Sequence, residues 1–353
     1  MAALTIAVLA IGALGLGVSA SAQWTTPIVS APGLQYRTFQ SSAAGSTVSF
    51  HIYTPPEYAS QPTRRFPVLY WLHGSGSATA GIAPMVNWFS TAMAQELLQP
   101  MIIVFPNGMP YGMYCDAASG SRPMETVIIH ELVPHVDATF RTIPDRDSRI
   151  VEGFSMGGYG AGRFGLVYSD RFCAASMLGA GPVQTDFMDA PGGTGVPPQL
   201  RASIYADVWN SDPAIFYARS PWALSEVHRD TFIVNQMELR IAVGESDAMF
   251  TPNVDLHNRL IDVGIPHQWS THVGVGHDTL ALLRAMGGAN WAFYRRVLPV
   301  PCDFNSDGTA DFFDYLDFVA VFSESAARAD VNGDLIIDFF DYLDFVAAFA
   351  DGC

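Results

Sequence analysis

Between residues 34 and 298 the apolar positions fall into two alternating patterns, short runs and longer stretches at helical spacing. Residues 34–40 and 47–53 alternate apolar with polar around Gly45-Ser46, which predicts a hairpin at a sheet edge. Residues 66–72 and 101–105 are continuous apolar runs, the pattern of strands buried on both faces. Further strands are predicted over 150–154, 172–178, 239–243 and 268–273. Helices are predicted over 87–98, 124–140, 159–168, 253–263 and 279–298. Strands separated by helices pair mostly in parallel, so the expected fold class is α/β, a doubly wound and mostly parallel sheet. In that architecture the ligand site lies at the carboxyl ends of the strands. Residues 181–232 break the rhythm with Pro191-Gly192-Gly193, Pro197-Pro198 and scattered aromatics. That insertion is either a cap over the site or a packed surface excursion.

At one strand end stands Gly153-Phe154-Ser155-Met156-Gly157. A serine in G-x-S-x-G between strand and helix occupies a sharp turn that exposes Oγ, and glycines flank it because side chains would collide there. Ser155 is the candidate nucleophile, and the N–H of Met156 at the helix start is a candidate oxyanion donor.

A serine hydroxyl needs a base, and the base an orienting acid. His277 lies in Gly274-Val275-Gly276-His277-Asp278, a glycine-rich loop between strand and helix, and is the candidate base; Asp278 is placed to cap that helix. Asp247 follows the strand 239–243 and is the candidate acid, with Glu245 as the alternative. The second oxyanion donor is expected from His73-Gly74-Ser75-Gly76: Ser75 N–H, or that of Gly74 or Gly76. The chain order Ser, Asp, His is that of α/β-hydrolases. This chemistry needs no cofactor.

The chain has 353 residues and a net charge of -16. Every basic residue is Arg. Residues 302–353 hold twelve Asp/Glu against Arg328 alone, so -11 of that charge sits in the tail. No basic cluster offers a surface for nucleic acid. Residues 4–18 are apolar and uncharged and precede Ala20-Ser21-Ala22, an A-x-A signal that predicts cleavage after Ala22 and export, against the alternative of a short membrane anchor. No other stretch is apolar enough to span a bilayer. The domains expected are a signal peptide at 1–22, a hydrolase domain at 23–301 and a tail module at 302–353.

The hydrolase region, from about Tyr36 to Val297, resembles the secreted carbohydrate esterases of the esterase D type. These include feruloyl esterases and, more distantly, S-formylglutathione hydrolases and mycolyltransferases. The resemblance is carried by Tyr70-Trp71-Leu72-His73-Gly74, Met124-Glu125-Thr126, Glu131-Leu132-Val133-Pro134, Gly153 to Gly160, Gly244 to Asp247, Gly264-Ile265-Pro266-His267 and Gly276-His277-Asp278. It implies Ser155, Asp247 and His277 as nucleophile, acid and base, an α/β-hydrolase fold, and an ester of plant or algal polysaccharide, feruloyl or acetyl, as substrate. Polyester hydrolysis, acyl transfer and a non-catalytic attachment role are the rival readings. Glu152, a charge inside an apolar strand, is a candidate supporting partner.

The tail repeats itself at an offset of 27 residues: Asp311 to Phe322 and Asp338 to Phe349 differ only at Val321 against Ala348. Oxygen-bearing residues fall at positions 1, 3, 5, 9 and 12 of two loops: Asp303, Asn305, Asp307, Asp311 and Asp314, then Asp330, Asn332, Asp334, Asp338 and Asp341. Position 7 offers a backbone carbonyl, from Thr309 and Ile336. This is EF-hand spacing, and it predicts two calcium ions in a small all-α module. Asp stands at position 12 where Glu is usual, and Leu335 at position 6 where Gly is expected. A duplicated loop and following helix resembles a type I dockerin, which implies a cohesin-bearing scaffold as partner. Cys302 and Cys353 flank the unit, either as a clamping disulfide or with Cys353 free for anchoring; the states of Cys115 and Cys173 are open.

Overall fold

The computed structural model describes residues 24–188, 196–298, 302, 304–305 and 310–351. The predicted signal, Asp303, Asp307, Thr309 and Cys353 lie outside the described residues. One sheet of eight strands runs through the larger body: β1 (Leu34–Ser41), β2 (Ser46–Tyr53), β3 (Val68–Leu72), β4 (Ile102–Pro106), β5 (Arg149–Phe154), β6 (Ala174–Leu178), β7 (Glu238–Gly244) and β8 (Gln268–His272). Their order is β1-β2-β4-β3-β5-β6-β7-β8. The edge hairpin β1–β2 is antiparallel and β2 meets β4 antiparallel. The remaining neighbours are parallel. Strands β3 to β6 are buried throughout, as their apolar runs require, with separate apolar clusters filling the core around Phe164, Trp209 and Phe216 and around Phe89, Trp291 and Tyr294.

Several helices depart from their predicted bounds. The helix expected over 87–98 is Ile82–Ala94: it starts after Gly81, at φ 87°, buries Ile82, Met85, Val86, Phe89, Ala92 and Met93, and has ended before Glu96, at φ 59°. The helix expected over 159–168 is Met156–Val167, beginning directly after Ser155. The stretch expected as one helix over 279–298 is two, Thr279–Met286 and Gly288–Val297, because Gly287 takes φ 56° and ψ -133° and interrupts the hydrogen-bond ladder. Residues 124–139 are helical but pass through a wider π segment, Val127–Leu132, ahead of Pro134, whose missing N–H leaves a carbonyl without its usual partner.

The insertion folds into four short helices, Pro198–Trp209, Pro213–Ala218, Pro221–Val227 and Arg229–Val234. Trp209 and Phe216 are buried among its aromatics. The tail carries helices Phe312–Ser323 and Phe339–Asp351 around a small core in which Phe318 stacks on Phe345 at 4.1 Å.

The tail is seated on helix Gly288–Val297. Arg295 donates to the Asp330 carbonyl at 2.8 Å and to its carboxylate at 2.9 Å. Arg328 reaches Glu96 at 2.8 Å. A Cβ on Gly333 would come within 2.9 Å of Arg296, so only glycine allows this approach. Cys115 and Cys173 are buried free thiols, whereas Cys302 is disulfide-bonded. Among the described residues no helix is long and apolar enough to cross a membrane.

Candidate active site

Strand β5 runs straight into the turn that carries Ser155, whose φ of 59° and ψ of -120° are strained for a residue with a Cβ. The turn is over-determined. Ser155 N–H donates to Leu178 O at 2.9 Å, and Ser155 O accepts from Tyr159 at 3.0 Å and Gly181 at 3.1 Å. A Cβ on Gly157 would overlap the Leu72 carbonyl, and one on Gly153 would lie 2.7 Å from the same oxygen. The elbow glycines are therefore demanded by the closeness of β3.

The loops after β7 and β8 bring the other two groups to this point. His277 Nε2 lies 2.9 Å from Ser155 Oγ. Its Nδ1 lies 2.9 and 2.8 Å from the two oxygens of Asp247. With a carboxylate facing Nδ1, the proton sits there, and Nε2 is left to accept from the serine hydroxyl. Asp247 is buried and also accepts from Met249 N–H at 2.8 Å, so its direction is set from two sides. Phe154 packs its ring 4.6 Å from the imidazole of His277. Glu245, the alternative acid, is exposed and accepts from Thr271 at 2.9 Å instead. Asp278 caps its helix through Ala281 N–H at 2.7 Å.

The loop His73 to Gly76 stands against the elbow, with Gly74 close enough that a Cβ there would meet the Cβ of Ser155 at 3.3 Å. His73 is a brace for this loop. Its Nε2 accepts from Gly108 N–H at 3.1 Å, so Nδ1 carries the proton and donates to Gly74 O at 2.8 Å. Burial lowers its pKa to about 4, with the Gly74 bond acting in the other direction. Gly76 N–H donates to Pro110 O at 2.8 Å, which removes it as an alternative donor to Ser75. Ser75 and Ser155 line the same cavity, and Met156 opens the helix immediately after Ser155.

That cavity holds about 450 Å³ and is lined largely by carbon, including Met113, Phe154, Phe187, Ile204 and Met249. The insertion supplies Arg201 and Ile204, and the segment leaving β6 supplies Gln184. None of these was singled out in the sequence, because they fall where no period marks them.

Glu152, two residues ahead of Phe154, finds partners that the sequence did not name. It shares one row of the sheet with Ser176 and Arg240. The small Ser176 leaves room for Arg240 to cross and reach Glu152 at 2.5 Å. A charge inside β5 and another inside β7 were the available signal; their pairing required the register.

In the tail's second loop Asp330, Asn332 and Asp341 accept backbone N–H groups of the loop itself. Asp341, buried, accepts from Val331 and Asp338, both at 2.9 Å, and Asp334 N–H is shared by Asp330 and Asn332, each at 3.0 Å. Asp330 also pairs with Arg295, a partner that its expected role as a ligand did not include. Among the described residues no group of three or more His, Cys, Asp or Glu converges to hold a metal ion. In the first loop, Asp314 accepts from Asn305 N–H at 3.0 Å and from Asp311 N–H at 2.7 Å.

Residues 41–286 match the Esterase family model. The chain belongs to the Esterase family. Within it, the chain is 34% identical over 197 residues to Esterase Rv1288 of Mycobacterium tuberculosis, a match covering 50% of this chain and 42% of that protein. It is 32% identical over 139 residues to an endo-1,4-beta-xylanase/feruloyl esterase of Xylanibacter ruminicola, covering 35% of this chain and 18% of the relative. The matches thus span less than half the length of these curated relatives. Among solved structures, a ferulic acid esterase superposes with a TM-score of 0.61 at 22% identity, over 74% of this chain and 97% of its own. An S-formylglutathione hydrolase from Agrobacterium tumefaciens does so with a TM-score of 0.59 at 20% identity, over 76% and 98%. The fold of this Esterase-family chain is that of an α/β-hydrolase with a mostly parallel sheet.

Proposed function

We propose that the protein is a secreted serine carboxylic-ester hydrolase acting on acyl esters of polysaccharide, feruloyl or acetyl, and held at a scaffold or surface by its tail. One observation carries the catalytic part: Ser155 Oγ, His277 Nε2 and the Asp247 carboxylate form an unbroken hydrogen-bonded line at the wall of a 450 Å³ cavity. In this reading His277 takes the proton of Ser155 as Oγ bonds to the ester carbonyl carbon. Asp247 stabilises the imidazolium, and the N–H groups of Ser75 and Met156 receive the oxyanion. The imidazolium returns its proton to the leaving alcohol. Water, deprotonated by the same imidazole, then releases the acid and restores Ser155. A fluorophosphonate probe should label wild type and not Ser155→Ala, and the variant should lose 4-nitrophenyl acetate hydrolysis by a factor on the order of 10⁴ or more. Labelling and activity that survive in the variant would overturn the assignment.

The polysaccharide part is supported by the names of the feruloyl esterase relatives and is decided by a hydrolysis panel of feruloylated xylan, acetylated xylan and polyester. For the tail, support comes from an exposed apolar face that repeats with the sequence: Phe312, Phe313 and Leu316 on one helix, Phe339, Phe340 and Leu343 on the other. Exposed apolar side chains repeated in this way fit docking to a partner. The calcium component rests on the ligand spacing from Asp303 to Asp314 and from Asp330 to Asp341. Binding to a panel of cohesin modules in calcium and in chelator tests both, and equal absence of binding in the two conditions would remove the dockerin reading.

A further inference from the structure

The two N–H groups offered to the oxyanion belong to separate parts of the chain, Ser75 to the loop after β3 and Met156 to the start of helix Met156–Val167. Neither part alone sets the distance between them. A third segment, residues 107–115, ties the loop down at both ends. Gly108 N–H donates to His73 Nε2 at 3.1 Å, and the Tyr114 hydroxyl donates to His73 O at 3.0 Å. At the far end Gly76 N–H donates to Pro110 O at 2.8 Å. Between these ties, no acceptor among the described residues takes the N–H of Gly74 or Ser75. Nor does any backbone N–H among them reach His73 O, so the Tyr114 hydroxyl is its donor. Burial holds that phenol well above its ordinary pKa, and it stays a donor.

The ring of Tyr114 reaches the other donor. A Cβ on Gly160 would lie 2.6 Å from it and one on Gly108 2.5 Å, so the ring is clasped between its own segment and the helix that Met156 opens. Its edge contacts are to Phe164 of that helix, at 6.3 Å between centroids, and to His73, at 5.7 Å. Met109, Met113 and Tyr114 hold φ of 54°, 53° and 48°, left-handed backbone that residues with a Cβ keep only where the surroundings impose it. We infer that Tyr114 is the positioning residue of the oxyanion hole: its ring rests on the helix of Met156, its hydroxyl holds the loop of Ser75, and the two N–H groups are thereby set for one oxygen. Tyr114 is wholly buried behind the cavity wall and acts on the reaction only through this backbone. Donors held in place before charge develops are what an oxyanion site needs, because they then cost no reorganisation in the transition state. The inference rests on the ester-hydrolase reading above, since it concerns the same reacting oxygen.

The test uses the full chain, and the endpoint of fluorophosphonate labelling counts the competent sites, so every rate is expressed per labelled Ser155. Tyr114→Phe keeps the ring and removes the hydroxyl. It should lower kcat for 4-nitrophenyl acetate by roughly tenfold to a hundredfold while KM stays within about threefold. A trifluoromethyl ketone that adds to Ser155 places an oxyanion in the same hole, and its inhibition constant should rise by about the factor by which kcat/KM falls. Affinity for the corresponding methyl ketone, which carries no such charge, should stay within about threefold of wild type. Tyr70→Phe removes another buried phenol hydroxyl, one without a hydrogen-bond partner among the described residues, and should leave both constants per site unchanged. Unchanged kcat/KM in Tyr114→Phe, or a fall without the matching rise for the trifluoromethyl ketone, overturns the role of Tyr114. Should Tyr114→Phe yield no labelled sites, Gly160→Ala decides, since its Cβ displaces the ring and should produce the same paired losses; wild-type constants per site in that variant overturn the role equally. Labelled wild type with either negative result removes this inference alone, whereas wild type that takes no label removes the hydrolase reading beneath it.

Discussion

Tyr294 donates its hydroxyl to Glu152 at 2.7 Å, joining helix Gly288–Val297 to the strand that ends in Ser155. Glu152 is wholly buried, and its other oxygen takes Arg240. Arg240 in turn donates to Ser176 at 3.0 Å and to Asn290 O at 3.2 Å, and lies 4.0 Å over the ring of Phe293. Burial and the neighbouring carboxylate hold the Tyr294 phenol well above its ordinary pKa, so it remains a donor. Glu152→Ala would leave the Arg240 guanidinium buried without a counter-ion and should cost about 3–5 kcal/mol in urea unfolding. Replacing both partners, Glu152→Leu with Arg240→Leu, removes the orphan charge and should cost less than the single variant. A double variant that loses the sum of the two singles would show that the pair is not the source of the effect.

Acid should loosen the loop that faces the elbow. Well above pH 6.5 His73 is neutral both folded and unfolded and contributes no pH dependence. As pH falls from 6.5 toward the folded value of about 4, only the unfolded chain takes up the proton, so stability declines across that window. The loss between pH 7 and pH 5 should be about 2 kcal/mol from this group. His73→Gln, which can still accept from Gly108, should flatten this part of the profile whatever its stability at pH 7. Equal slopes for variant and wild type in urea unfolding at both pH values would exclude His73 as the cause.

The parts of the molecule that could be read from residue order are those governed by short-range rules. Strands β3 to β7 were legible because runs such as Val68 to Leu72 are bounded by turns and can only be satisfied by burial on both faces. Ser155, Asp247 and His277 could be picked out because each follows a strand end in a glycine-containing loop, and they meet in the structure. The helix start after Gly81 and the break at Gly287-Gly288 were missed because apolar spacing was followed across them, although the glycines were the available signal, and Gly81 and Gly287 take φ 87° and 56°. The partners of Glu152 depend on strand register, and Gln184 depends on a cavity wall assembled from distant segments. Neither has a local signature.

The second tail loop holds a residue against its preference. Leu335 has φ 70° and an exposed side chain, at the position where the loop pattern calls for glycine. Left-handed backbone costs a residue with a Cβ about 1–2 kcal/mol, part of which glycine returns through its freer unfolded chain. Leu335→Gly should therefore stabilise the loop by about 1 kcal/mol, seen as roughly fivefold slower hydrogen exchange across residues 330–341 of the full chain. Faster exchange would mean that the exposed leucine makes a contact worth more than the strain.

Arg295 and a metal ion make competing demands on Asp330. The guanidinium lies 2.9 Å from the Asp330 carboxylate, and both side chains are largely withdrawn from water. An ion bound by this loop would need that oxygen at position 1, together with Asp341, which now accepts backbone N–H groups. Calcium bound as proposed at the second loop would carry the cost of releasing Arg295. Arg295→Met keeps the apolar stem against helix and tail while removing the competing charge, and it should tighten calcium binding by roughly threefold to tenfold in calorimetric titration of the chelator-treated full chain. The same variant should loosen the seat of the tail on the body, giving faster proteolytic separation of tail from body when calcium is absent. Weaker calcium binding in Arg295→Met would reverse the argument and make Arg295 a group that holds the loop ready for the ion. No calcium heat in wild type or variant would leave the Arg295–Asp330 pair as a structural clasp between tail and hydrolase.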